Sequence, residues 1–171
     1  MGKRVLIIDT SVLCCWLEIP GKEEAGPADD RWNYQRINDL LTAEGAKGST
    51  FVLPIATLIE TGNHIAQAPD ANRFQRAGRL AEHLRSATDE QSPWAAFTDQ
   101  SSLWKPEQLR LLADNWPALA AGGTSIGDAT IKDVAEHYGR AGYHVEIITG
   151  DQGLKAYQPA APLRVPRRRG G

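Results

Sequence analysis

Four acidic residues stand where carboxylates could do chemistry together: Asp9, Glu60, Asp128 and Asp151. Asp9 follows the apolar run Val5-Leu6-Ile7-Ile8, and Asp151 follows Val145-Glu146-Ile147-Ile148-Thr149-Gly150. Both contexts read as strand ends. In open α/β sheets the carboxyl ends of strands are where ligands bind. An Asp at a strand-to-helix turn is also an ordinary helix cap, which is the plainer explanation of either one alone. Asp128 shares a helical side with Ile131, Ala135 and Tyr138, so it belongs to a core-facing stripe in a first turn, where the helix dipole tolerates a carboxylate. Ser125 could cap that helix and leave Asp128 free to point at the sheet edge. Glu60 lies in "ATLIETGNH" with Asn63 and His64 as its helical neighbours. Taken alone, it marks the polar border of an amphipathic helix.

Together the four pose an electrostatic problem. Gathered carboxylates repel one another, and burying each ion costs on the order of several kcal/mol. Either some are protonated or a divalent cation sits among them. An all-oxygen donor set favours Mg²⁺ or Mn²⁺ over softer metals. Such a site suits phosphodiester hydrolysis, in which the metal activates water and offsets phosphate charge. Zinc is not indicated: there is no C-x-x-C, and His64, His83, His137 and His144 lack the H-E-x-x-H spacing. Cys14 and Cys15 are adjacent, a geometry that would strain a disulfide, and read as small buried hydrophobes.

Other chemistries lack their residues. "GGTSIGD" has no lysine where a phosphate-binding P-loop needs one. No G-x-G-x-x-G follows the first strand, and no G-x-S-x-G elbow appears. A haloacid-dehalogenase-type phosphatase needs a second Asp two positions after the first, where this chain has Ser11.

The elements that must position these residues alternate. Residues 4–8 read as a central parallel strand, apolar on both faces. A helix follows over 11–17 with Thr10 or Ser11 as cap, then a loop over 20–30. A helix is expected over 31–46 and a strand over 50–53. Pro54 suits the first position of the next helix, which carries Ile55, Leu58, Ile59, Gly62 and Ile65 as its inward stripe. Residues 70–87 read as a helix with Phe74, Ala77, Leu80, Ala81 and Leu84 inward. Residues 88–104 have no clear period, and 106–119 is helical with Pro117 straining its end. After Gly122-Gly123 come a helix over 125–140, a strand over 144–149, a short helix over 152–157 and an edge strand at Leu163–Val165. Such alternation implies an α/β domain, three layers α/β/α, with a central, mainly parallel sheet. Trp94, Trp104 and Trp116 read as fillers of a second small core, with stacking on the bases of a single strand or contact with a partner chain as the alternatives.

The 171 residues suit one domain, expected over 1–165 with 67–124 as a helical, insertion-like segment. No apolar run reaches the ~20 residues that span a bilayer, and the N-terminus lacks a signal-peptide pattern. A cytoplasmic protein without membrane contact is expected. The formal charge is −2. Arg164, Arg167, Arg168 and Arg169 crowd the end of the chain. Setting these four aside takes the formal charge from −2 to −6, so the body is acidic and the tail basic. The tail over 166–171 has the composition of a flexible segment; Arg167, Arg168 and Arg169 could also contact a phosphate backbone. His64 reads as a satisfied surface histidine, with substrate contact as its alternative.

The acidic constellation resembles the PIN-domain nucleases, and among them the VapC-type toxin ribonucleases. The matching pieces are "VLIIDTSVL", "LPIATLIETG", "SIGDATIKDVAEHY" and "VEIITGDQGLKAY". They occur in the family's order and cover about the whole chain. The resemblance implies a Mg²⁺- or Mn²⁺-dependent endoribonuclease acting on RNA. Asp9, Glu60, Asp128 and Asp151 map onto its acidic residues, with Asp9, Asp128 and Asp151 as metal ligands. Ser11 and Thr149 map onto its hydroxyl positions beside the metal. It also implies an antitoxin partner and homodimers, with a stand-alone nuclease as the alternative. PIN-like folds that serve as RNA-binding or assembly modules lose their acids, whereas all four are present here.

Overall fold

The apolar runs at the first and last acidic motifs meet side by side. The structure, a computed structural model, describes residues 3–157 and 159. The expected strand at Leu163–Val165 and the basic tail with Arg164, Arg167, Arg168 and Arg169 lie outside the described residues. The strands are β1 (Arg4–Ile8), β2 (Thr50–Val52) and β3 (His144–Ile148), in the order β2-β1-β3. Both pairings are parallel, with Ile7 opposite Val52 on one side and Ile147 on the other.

The continuous apolar run of β1 has a direct consequence. Leu6 and Ile8 enter one core cluster; Val5 and Ile7 enter another. The first cluster takes side chains from α1 (Thr10–Trp16), α2 (Tyr34–Ala46), α3 (Ile55–Gln67) and α4 (Arg73–Thr88). The second takes them from α6 (Ile126–Arg140) and α7 (Gln152–Ala156). Helices therefore cover both faces of a mixed α/β fold. Between α4 and α6 lie a 3-10 helix (Phe97–Trp104) and α5 (Pro106–Ala121). Among the described residues, no helix is long and apolar enough to cross a membrane.

Several local expectations are corrected. The cap of α1 is Asp9 itself, whose side chain accepts from Ser11 N, so neither Thr10 nor Ser11 is the cap. Pro54 is the residue before α3 rather than its first. Helix α2 begins at Tyr34 with Asn33 as cap, because Trp32 instead exchanges backbone hydrogen bonds with Ala25. Phe74, expected inward, is 88% exposed, and Ile59 is 56% exposed. The expected Ile65 and Leu80 are buried, and Leu58 packs against the core, but Thr57 and Thr61 in α3 and Ala87 in α4 are buried beside them. Helix α5 runs through Pro117 as expected, but ends at Ala121, two residues later than the expected bound. Trp94 joins the main core against Phe51 and His83 instead of filling a separate one. It gets there because residues 93–95 pair with β2: Phe51 N donates to Pro93 O and Ala95 N donates to Phe51 O.

Candidate functional site

Parallel pairing brings the ends of β1 and β3 together at one edge of the sheet, and Asp9 N extends the ladder by donating to Ile148 O at 3.0 Å. Asp9 is buried there. Its Oδ2 accepts from Ser11 N (3.3 Å), Ser11 Oγ (2.7 Å) and Thr149 Oγ1 (2.8 Å). The two hydroxyls also accept in turn. Ser11 Oγ takes the N–H of Gly150 (2.9 Å), and Thr149 Oγ1 takes the N–H of Asp151 (2.9 Å). Each hydroxyl thus ties the Asp9 carboxylate to the backbone that carries Asp151. Asp151 caps α7 through Oδ1, which accepts from Leu154 N at 2.8 Å. Both end-of-strand aspartates are therefore helix caps, as the plainer reading of each held. Capping engages one oxygen of each and fixes the carboxylate's orientation.

Glu60 reaches the same edge from α3. Thr57, one turn earlier, pins that helix by donating from Oγ1 to Ile8 O at 2.9 Å. Thr10 Oγ1 donates to Glu60 Oε2 at 2.9 Å. The other oxygen lies against α6 at Gly127, where an added Cβ would fall 2.2 Å from Oε1. A side chain at 127 would occupy the carboxylate's place. Asp128 follows directly. Ser125 Oγ accepts from Asp128 N at 3.0 Å and caps α6, and Asp128 lines the cleft. Burial pushes the Asp128 carboxyl above its ordinary range, and the charges of Asp9 and Asp151 push it further, against a hydrogen bond with Ser125.

Asp9, Glu60, Asp128 and Asp151 line one cavity of about 450 Å³, together with Thr10, Ser11, Cys14, Ser125 and His64. Thr149 lies beneath it, 1% exposed. The opposite wall comes from the loop after α1: Gly21, Lys22, Glu24 and Ala25. Cys14 is an inert wall residue, its thiol pushed up to about 12 mainly by burial. His64 is held below its ordinary range by burial first and then by Lys22, against the opposing pull of Glu60.

Among the described residues, no three His, Cys, Asp or Glu side chains converge at chelating separation. The donor chemistry nonetheless fits a hard cation. Mg²⁺ keeps several of its waters and takes only one or two carboxylates directly, and all three donors to Asp9 fall on a single oxygen.

The sequence gives no local signal for Thr10 as partner of Glu60, for Gly127 as the gap that admits it, or for the 21–25 wall. Thr10 adjoins Asp9 and could have been suspected from that alone. The other contacts join distant parts of the chain. No family model matches this chain, and neither does a curated protein or a solved structure.

Proposed function

We propose that this cleft is the active site of a PIN-type, Mg²⁺- or Mn²⁺-dependent endoribonuclease that hydrolyses single-stranded RNA. The observation that carries it is the lining of one cavity by carboxylates from four separate stretches of chain. Helix capping accounts for Asp9 and Asp151 singly, but not for gathering four carboxylates at one cavity, where each disfavours ionisation of its neighbours. Asp9, Asp128 and Asp151 would hold the ion, and Glu60 would complete the site directly or through water. A bound metal would supply neutralisation of the scissile phosphate and a more acidic water. The protein's own part is orientation. Ser11 and Thr149 hold the Asp9 carboxylate, and Thr10 holds Glu60.

At finer grain, the resemblance points to the toxin of a type II toxin–antitoxin pair in the cytoplasm. The antitoxin would cover the cleft with a cationic side chain, and homodimers would form. The helical segment between α3 and α6 favours a second reading, a stand-alone nuclease of RNA processing or defence, because a compact toxin has no use for it.

The test is cleavage of labelled RNA pools by wild type and Asp9→Asn, with Mg²⁺, Mn²⁺ or chelator. Asn keeps the cap and removes the charge. Metal-dependent cleavage by the wild type, absent in the variant, is the expected result. Equal activity in both would refute the site, and RNA binding without cleavage under any metal would favour a non-catalytic module.

A further inference from the structure

An acidic cleft is a poor host for a polyanion unless something on its wall attracts phosphate. The loop after α1 supplies one such group. It is anchored at both ends and in the middle. Ile19, 1% exposed, takes Cys14 O through its N–H at 3.1 Å and accepts from Lys22 N at 2.9 Å. Ala25 and Trp32 exchange two backbone hydrogen bonds, at 3.1 and 2.7 Å. Gly26, at φ +88°, packs on Gly150: a Cβ on Gly150 would lie 2.7 Å from Gly26 N and 2.8 Å from Ala25 Cβ. Asp30 accepts from Lys155 of α7 and from Arg36 of α2. The Arg36 guanidinium also lies over the Trp32 ring, 3.8 Å from its centroid. The loop is thus built against the backbone that bears Asp151.

The charges on this wall are unequal in availability. Glu24 is paired with Arg31 at 2.7 Å. Lys22 takes part in none of the ion pairs among the described residues, although Asp9, Glu60, Asp128 and Asp151 line the same cavity along with Glu24. His64, the cavity's other basic side chain, is biased towards its neutral form and can donate or accept a hydrogen bond without adding charge.

The geometry points to the 20–33 loop as a substrate arm whose Lys22 ammonium binds a backbone phosphate of single-stranded RNA, next along the strand from the scissile one. This rests on the nuclease reading of the cleft. Lys22 is a binding residue and takes no part in bond breaking. It sets strand affinity and the salt sensitivity of binding.

The test uses fluorescein-labelled single-stranded oligouridine RNA, titrated by anisotropy with Mg²⁺ against full-length Asp9→Asn protein, with and without a second substitution. Lys22→Ala should weaken binding about tenfold at low salt, as loss of one charge-assisted contact does. It should also lower the slope of log affinity against log salt by about 0.7, the release expected for one single-strand phosphate contact. Lys22→Arg should restore both, and Lys105→Ala, on the α5 side, should change neither. In otherwise wild-type protein, Lys22→Ala should raise KM with kcat within about twofold, the signature of lost ground-state binding. Unchanged affinity and slope in Lys22→Ala, or no rescue by Lys22→Arg, overturns the inference while leaving a cleaving wild type intact. A wild type that neither binds nor cleaves RNA overturns both.

Discussion

Gly127 shows how one missing side chain shapes the site. Glu60 Oε1 occupies the volume that a methyl group on residue 127 would need. The obstructed atom is the end of a flexible side chain, so Gly127→Ala should leave the fold standing and push the carboxylate aside. The expected outcome is a melting temperature within a few degrees of wild type and a roughly 10- to 100-fold loss of cleavage, the range for misplacing a catalytic group by about 1 Å. Gly78 is the comparator: it lies within α4, and a Cβ there meets nothing within 4 Å. Gly78→Ala should stabilise by about 0.5–1 kcal/mol with activity unchanged. Equal activity in both variants, measured beside thermal melts, would remove Glu60 from the mechanism. The carboxylates also differ in how their charge is held. Asp9 has three donors on one oxygen, whereas Asp128 is half-buried near two like charges. Burial first, and then the charges of Asp9 and Asp151, disfavour ionisation of Asp128.

At the scale of elements, β1, α3, α6 and β3 were legible because hydrophobic period reports which residues face a core. Asp9, Asp128 and Asp151 came with them, each set by its distance from an apolar run. The same rule misplaced Phe74 and Ile59, because period fixes a stripe only where the helix packs on something along its length. The 20–33 loop was illegible in a deeper sense. Its glycines, prolines and charges announce a turn, but its partners are Gly150, Arg36 and Lys155, all outside it in sequence. Asp30 is the junction. Lys155 first, then Arg36, hold its carboxyl down to about 2, below the usual carboxylate range. A depressed carboxylate adds stability above its unfolded pKa and loses it as pH falls through the folded value. Asp30→Asn should therefore melt below wild type at pH 7, with the gap narrowing as pH drops from about 4 towards 2. A gap that stays constant between pH 7 and 3 would mean that the two ion pairs do not brace the loop.

Across the whole molecule, stability and chemistry are unevenly shared. The sheet, α1 and α6 hold several of the fully buried side chains, among them Leu6, Ile7, Ile8, Leu13 and Ile131; Asp9 joins β1 to α1, and Asp128 lies in α6. Helix α5 is the reverse: it has no buried residue, and Leu109, Leu111 and Leu119 are 42%, 51% and 39% exposed. Pro117 within it lacks the N–H that would continue the helical ladder. Trp116 Nε1, donating to Thr124 O at 3.2 Å, ties its end to the turn before α6. A segment with few buried contacts opens by local fluctuation, well below the free energy of global unfolding. Amides of α5 should therefore exchange with solvent deuterium much faster than those of α6, as followed by peptide-resolved hydrogen exchange in dilute protein. If the exposed leucines meet a second copy of this chain, protection of α5 will rise with protein concentration while α6 stays constant. Protection of α5 equal to that of α6 at every dilution would contradict this division and make the segment part of the rigid core.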